Sequence, residues 1–215
     1  MKELRYTLVT DGSSDRALLP ILNWLLRQYA IGYAIQPEWA DLRRLPQPIP
    51  GLAERIRMSL DLFPCDILFV HRDAEKMSYT RRVAEIERAL RDVGEWKRDR
   101  TICVVPVRMT EAWLLVDEAA LRRAAGNPNG QRALSLPPLP QLEQLPDPKR
   151  LLYDFLQAAS ELSGRRLKSF MAHARISRIA EFIDDFSPLR TLTAFQHLEH
   201  DIQTAIYAHG WSERP

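Results

Sequence analysis

Residues 65–75, "CDILFVHRDAE", contain four consecutive large apolar side chains, Ile67 to Val70, that run straight into charges. A strand with no polar face has to be covered on both sides, which is the situation of a central strand in a parallel sheet with helices above and below. "LRYTLVT" (4–10) and "TICVVPV" (101–107) read as further strands, and "IGYAIQPEWADL" holds a short one before the proline-rich "RRLPQPIPG" loop. Between them lie helical spacings. Residues 14–30 carry Ala17, Leu18, Ile21, Leu22, Leu25, Leu26 and Tyr29 on one stripe, with Pro20 expected to kink the helix or to end a short first segment. "LAERIRMSLDLF" is amphipathic, and Val83, Ile86, Leu90 and Val93 mark the buried side of a helix over 79–96. "TEAWLLVDEAALRRAA" (110–125) is expected as one helix with Thr110 as its N-cap. This alternation predicts an α/β domain over 1–125.

The pattern changes at 126–148, where six prolines and two glycines indicate a linker or wrapping loop. "KRLLYDFLQAASEL", "RRLKSFMAHARISRIAEFI" and "LRTLTAFQHLEHDIQTAIYAHG" are all helical in spacing, so 149–215 is expected as a helical subdomain packed on the sheet. The 215 residues are 46% hydrophobic with a net charge of +2, which is too small to indicate a nucleic-acid or membrane partner by itself. Cys65 and Cys103 lack any metal-ligand or C-x-x-C spacing and read as reduced thiols, and no apolar stretch approaches the roughly 18 residues of a membrane span. A cytoplasmic protein without a membrane partner is expected.

Three strand ends carry acids. The first gives Asp11-Gly12-x-x-Asp15, the third His71-x-Asp73-x-Glu75, and the fourth is followed by Glu111 in "RMTEAW". In an open parallel sheet, ligands bind at the carboxyl ends of the strands, so these acids are expected on one edge. Clustered carboxylates repel one another, and Mg²⁺ or Mn²⁺ would relieve the repulsion with the oxygen ligands such ions prefer. Each acid also has a plainer role open to it: a turn for Asp11, a helix start for Asp15, a solvated strand end for Asp73 and Glu75, and a capping acid for Glu111. His71 reads equally as a ligand, a proton carrier or a structural histidine.

"VTDGSSD" and "FVHRDAE" resemble the TOPRIM domain of primases, topoisomerases and OLD-type nucleases. "TEAWLLVD" (110–117), "DPKRLL" (147–152) and "LRTLTAFQHLEHDI" (189–202) resemble, more narrowly, small bacterial TOPRIM-like proteins of unknown function. The resemblance implies a mostly parallel TOPRIM-like sheet flanked by helices. It also implies metal-dependent phosphodiester cleavage of nucleic acid, DNA in preference to RNA, in antiphage defence or DNA repair. Asp11 stands where the family has Glu, and His71 stands at the first acidic position of the D-x-D pattern. Either Glu75 compensates for His71, or one metal binds, or the site is degenerate.

On this reading Asp11, Asp73 and Glu111 are the catalytic residues, and Asp11, Asp15, Asp73 and Glu75 hold the metal. Arg72, Lys76 and Arg108 lie beside the acids in sequence and suit phosphate oxygens, with Arg165, Arg166 and Lys168 as a nucleic-acid surface; a solvated rim and an ordinary charged helix face are the alternatives. No P-loop occurs, so ATP hydrolysis would fall to a separate ATPase subunit, and a second copy of the chain is an open alternative partner. The competing functional expectation is a catalytically degenerate TOPRIM-fold interaction module that binds an ATPase.

Overall fold

The structure, a computed structural model, describes residues 2–94 and 96–212. It is α/β. Strands β1 (Lys2–Val9), β2 (Tyr33–Trp39), β3 (Ile67–His71) and β4 (Thr101–Val104) form one sheet in the order β2-β1-β3-β4. Every pairing is parallel, where a mostly parallel sheet is expected. Pro37, opposite Tyr6, has no N–H for a ladder and is accommodated because β2 is an edge strand.

The two-residue alternation of the strands sorts their side chains into two cores. Leu4, Tyr6 and Leu8 of β1, Ile67 and Phe69 of β3, and Ile102 and Val104 of β4 face one way. They pack with α1 (Leu18–Tyr29), α4 (Glu118–Ala125), α5 (Pro148–Ser160), α7 (Ile176–Phe182) and α8 (Thr193–Ala208). Val9, Leu68, Val70 and Cys103 face the other way, against Ile56 of α2 (Leu52–Leu62) and Ile86, Ala89 and Leu90 of α3 (Tyr79–Val93). The apolar run at 67–70 is therefore buried on both sides, as its composition requires. The C-terminal helices share the first core with the sheet, and so do Leu134 and Leu142 of the proline-rich segment.

Several elements are shorter or more broken than their spacing predicts. Residues 14–30 divide into a 3-10 turn, Ser14–Ala17, and α1, so Pro20 lies in the first turn of a helix, where its missing N–H costs little. β4 stops at Val104 rather than 107, two residues before Pro106, which cannot donate. The expected helix over 110–125 is two elements: a 3-10 turn at Thr110–Leu114 and α4, whose N-cap is Asp117, accepting from the Ala120 N–H at 2.9 Å. Thr110 caps nothing, because its side chain is bonded elsewhere. α4 ends at Gly126 in the left-handed conformation, φ 82°, which glycine adopts without a Cβ penalty. The stretch 165–183 is not one helix but α6 (Gly164–Lys168), a 3-10 turn at Ala172–Arg175, and α7. Both cysteines are free thiols, Cys103 buried and Cys65 half-buried. No helix among the described residues is long and apolar enough to cross a membrane.

Phe69 is fully buried in β3 and meets the Tyr6 ring edge-on at 5.2 Å. Phe69→Ala removes that pair and leaves a void in the larger core. A loss of about 3–5 kcal/mol is expected in urea denaturation with an unchanged m-value.

Candidate active site

The carboxyl ends of β1, β3 and β4 open into one cleft of about 290 Å³, lined by Asp11, Gly12, Asp15, His71, Arg72, Asp73, Glu75, Arg82, Glu111 and Lys149 among others. All five acids singled out in the sequence meet here, on residues up to 100 positions apart. Parallel topology accounts for that, since it puts every strand's carboxyl end on the same side. Backbone bonding carries on past the formal strand ends. The N–H groups of Arg72, Ala74 and Glu75 donate to the carbonyls of Val104, Pro106 and Arg108 at 2.9–3.1 Å. This extension keeps Asp73 beside His71. Glu75 and Arg108 then turn the chain away, both in the left-handed region at φ 53° and 65°, where side chains other than glycine carry strain.

His71 lies at the centre of the cleft, 2% exposed. Its Nε2 is 3.0 Å from Thr110 Oγ1 and 3.2 Å from Asp73 Oδ1, and its Nδ1 is 3.5 Å from Asp15 Oδ2, an ion-pair distance without hydrogen-bond geometry. Burial would push the imidazole's pKa down, but Asp15 and Asp73 outweigh it and raise it to about 9. As an imidazolium, His71 donates from Nε2 to the Thr110 hydroxyl and Asp73. The Thr110 hydroxyl and backbone N–H in turn both donate to Asp73 Oδ1, at 3.3 and 2.9 Å. This is why Thr110 is not a helix cap. Burial also works against the Asp15 carboxylate. His71, the Gly12 N–H at 2.9 Å and Ser14 overcome it and hold its pKa below the usual range.

Each remaining acid has its own cation. Asp11 is held by Arg55 Nη1 at 2.5 Å and Arg72 Nε at 3.1 Å. Glu75 pairs with Arg82 at 3.5 Å, and Arg82 also donates to the Asp73 carbonyl at 2.8 Å and to Glu85 at 2.7 Å. Glu111 is 3% exposed and lies 3.4 Å from Lys149 Nζ. Burial raises the Glu111 pKa, only partly offset by its own backbone N–H and by Lys149. For Lys149 the charge of Glu111 overcomes desolvation and raises the ammonium's pKa. The asymmetry follows from exposure, since Lys149 keeps 43% of its side chain in solvent.

The donor chemistry, five carboxylates on one cleft, suits a hard divalent ion. No preassembled cluster accompanies it: among the described residues, no group of three or more His, Cys, Asp and Glu is arranged to hold a metal. The acids are spread over basic partners, and His71 holds the space between Asp15 and Asp73. Of the expected phosphate-binding residues, only Arg72 lines the cleft. Lys76 is exposed on the turn outside it, and Arg108 contributes its backbone carbonyl to the Glu75 N–H. Arg165, Arg166 and Lys168 are exposed on α6, and Arg166 borders a different cavity, shared with Phe170, Arg175 and Arg178.

Arg55, Arg82, Thr110 and Lys149 are site residues that sequence reading passes over. Lys149 carried a signal. It follows Asp147, which caps α5 by accepting from the Arg150 N–H, and Pro148, so it is a cation in the first turn of a helix, against the macrodipole. Trp113, beside Glu111, is fully buried and packs edge-on to Phe195 at 5.5 Å, which pins the 110–114 turn. Comparison with protein-family models, with curated proteins and with solved structures found no match.

Two outcomes follow from the buried charges. His71 is raised above its unfolded value, so its stabilisation is complete below about pH 6.5 and is lost as pH rises towards 9. Urea denaturation should show a decline on the order of 2–3 kcal/mol over that window, absent in His71→Gln; equal slopes in both proteins would contradict an internal imidazolium. Lys149→Met leaves Glu111 buried without its cation and is expected to cost about 1–3 kcal/mol at neutral pH, discounted for the exposure of Lys149. The deficit should shrink in acid as Glu111 takes up a proton, which a pH series of melting temperatures would show.

Proposed function

We propose that the cleft hydrolyses phosphodiester bonds of nucleic acid with the help of Mg²⁺ or Mn²⁺. The observation that carries this reading is the pairing within a single cleft of Asp11, Asp73, Glu75 and Glu111 with Arg72, Arg82, His71 and Lys149. Acids and bases so arranged exchange partners readily. A phosphate accepts the donors of Arg72 and Lys149, and the carboxylates they release are then free for a cation. Asp11, Asp73 and Glu75, with Asp15 behind them, are the residues that would hold the metal. Bound there it supplies Lewis-acid polarisation of the phosphoryl oxygen and a more acidic water.

The chain's own residues do the rest. Arg72 orients the phosphate, and its anchor to Glu85 at 3.2 Å fixes the plane of the guanidinium. Glu111, its pKa raised by burial, is placed to accept the proton of the attacking water once the phosphate has drawn Lys149 from it. Asp73 is oriented by His71 and by the hydroxyl and backbone N–H of Thr110. The preference for DNA, a separate ATPase subunit and a cytoplasmic defence or repair setting are supported by the TOPRIM-like motifs "DGSSD" and "HRDAE" alone.

His71 supports a second reading. A fixed imidazolium between Asp15 and Asp73 already offsets one of their two negative charges and occupies the space between them, which favours a non-catalytic interaction module.

Incubation of supercoiled plasmid and of single-stranded RNA with the protein in Mg²⁺ or Mn²⁺ tests the first reading. Asp73→Ala and Glu111→Gln should each lower cleavage by about 10²-fold or more. Equal rates in wild type and variants would identify a contaminant and defeat the nuclease reading. Calorimetric titration with Mn²⁺ separates the two readings, since an interaction module takes up no metal at millimolar concentration.

A further inference from the structure

A second cavity, about 400 Å³, adjoins the carboxylate cleft on the other side of Asp11 and Gly12, which line both. It is built by the loop between β2 and α2 folding over the end of β2. Leu42, Leu45, Pro46, Pro48 and Ile49 form an apolar wall facing Trp39. Its volume lies towards the low end of the roughly 300–1,000 Å³ common for small-ligand pockets, the scale of a nucleoside rather than of a strand.

The tryptophan is held in place. Its Nε1 donates to Thr10 Oγ1 at 3.1 Å, and the Thr10 hydroxyl donates to the Gly12 carbonyl at 3.0 Å. The aromatic wall of one cavity is thus tied to the backbone that separates it from the other. Over the Trp39 ring, 5.0 Å from its centroid, lies the guanidinium of Arg43, half-exposed and anchored to Asp41 at 2.7 Å. A flat, exchangeable cation on an immobilised indole marks a stacking position. Charge continues across the boundary. Asp11 sits between Arg55, which lines the apolar cavity, and Arg72, which lines the carboxylate cleft.

We infer that the two cavities are one nucleotide site, with a nucleobase stacked on Trp39 beneath the 40–51 loop and its phosphate between Arg55 and Arg72. The inference rests on the phosphodiester reading of the cleft and adds the group recognised beside the phosphate. Base-on-indole stacking tolerates any base, because each has a π-face, so the pocket accepts purines and pyrimidines alike. The arginines supply the paired donors that phosphate oxygens take.

Calorimetric titrations of the metal-free protein with AMP, CMP, ribose 5-phosphate and a thymidine octamer test this without any cleavage step. AMP and CMP are expected to bind about 10-fold or more tightly than ribose 5-phosphate. Trp39→Leu should reduce them to the ribose 5-phosphate level, and Trp39→Phe, which keeps a ring, should retain most of the difference. Trp39-dependent binding of the octamer without that of the mononucleotides also supports the site and shows that the base arrives within a strand. Equal binding of AMP and ribose 5-phosphate together with Trp39-independent octamer binding would overturn the inference, as would Trp39→Phe behaving like Trp39→Leu while both melt like the wild type. The two proposals fail separately. Trp39-dependent nucleotide binding by a protein that cleaves nothing keeps the base site and removes the nuclease. Cleavage with no base dependence does the reverse.

Discussion

Every strand of this sheet runs the same way, and the rest of the molecule depends on that. Parallel strands need helical crossovers, so the sheet is covered on both faces, and β3 inside it is apolar from Ile67 to Val70. The same constraint delivers the loops after β1, β3 and β4 to one edge, where Asp11, Asp73 and Glu111 line a common cleft. β2 ends on that edge as well, next to β1, which is why Trp39 neighbours Asp11 through Thr10. No local preference of these segments would bring them together.

Bringing five acids to one edge raises an electrostatic problem, and the chain meets it from within. A lone buried carboxylate is costly, as for Asp15 and Glu111, and crowded carboxylates repel one another, so each acid draws a cation from whichever element lies within reach. Asp11 draws Arg55 from α2 and Arg72 from the end of β3, Glu111 draws Lys149 from α5, and Asp15 and Asp73 share His71. Lys149 also explains how the C-terminal helices matter to the cleft. α5 packs in the same core as the sheet and carries, on its first turn, the one lysine that reaches Glu111 among the described residues.

The fold was legible where composition leaves few choices. Ile67–Val70 admit little besides a doubly covered strand, and the stripe of α1 is unbroken from Leu18 to Leu26. It was less legible where one side chain had two possible partners. Thr110 is a good cap residue by local rules, but His71 and Asp73 together engage its hydroxyl, and the helix begins instead at Glu118 with Asp117 as its cap. Over 165–183 the spacing suits a helix, yet Arg175 reaches the Ala124 carbonyl and stacks on Phe170, and the segment is divided into short turns to allow it. The acids of the site could be named from strand ends alone. Among their cations His71 and Arg72 could be named with them and Lys149 carried a helix-start signal, but Arg55 and Arg82 lie on amphipathic helices where an arginine carries no local signal.

The paired charges also couple the two ligands of the proposed reaction. A phosphate that takes Lys149 from Glu111 leaves a buried carboxylate without compensation, so the released site favours a cation more strongly than before. A cation that engages Asp11 first frees Arg72 and Arg55 for phosphate. Coupling of this kind is reciprocal, each ligand raising the affinity of the other by the same factor. Without either, the charged groups of the cleft are paired with one another, which would suit the proposed hydrolysis if it is to run only when substrate and metal are both present. His71 sets the limit to this exchange. It is buried, bonded through Nε2 to Thr110 and Asp73 with Asp15 at ion-pair distance from Nδ1, and is far less accessible to a solvent-borne anion than Lys149. In the proposed reaction Asp15 and Asp73 would therefore stay oriented while the outer pairs, Arg72 with Asp11 and Lys149 with Glu111, exchange partners around them.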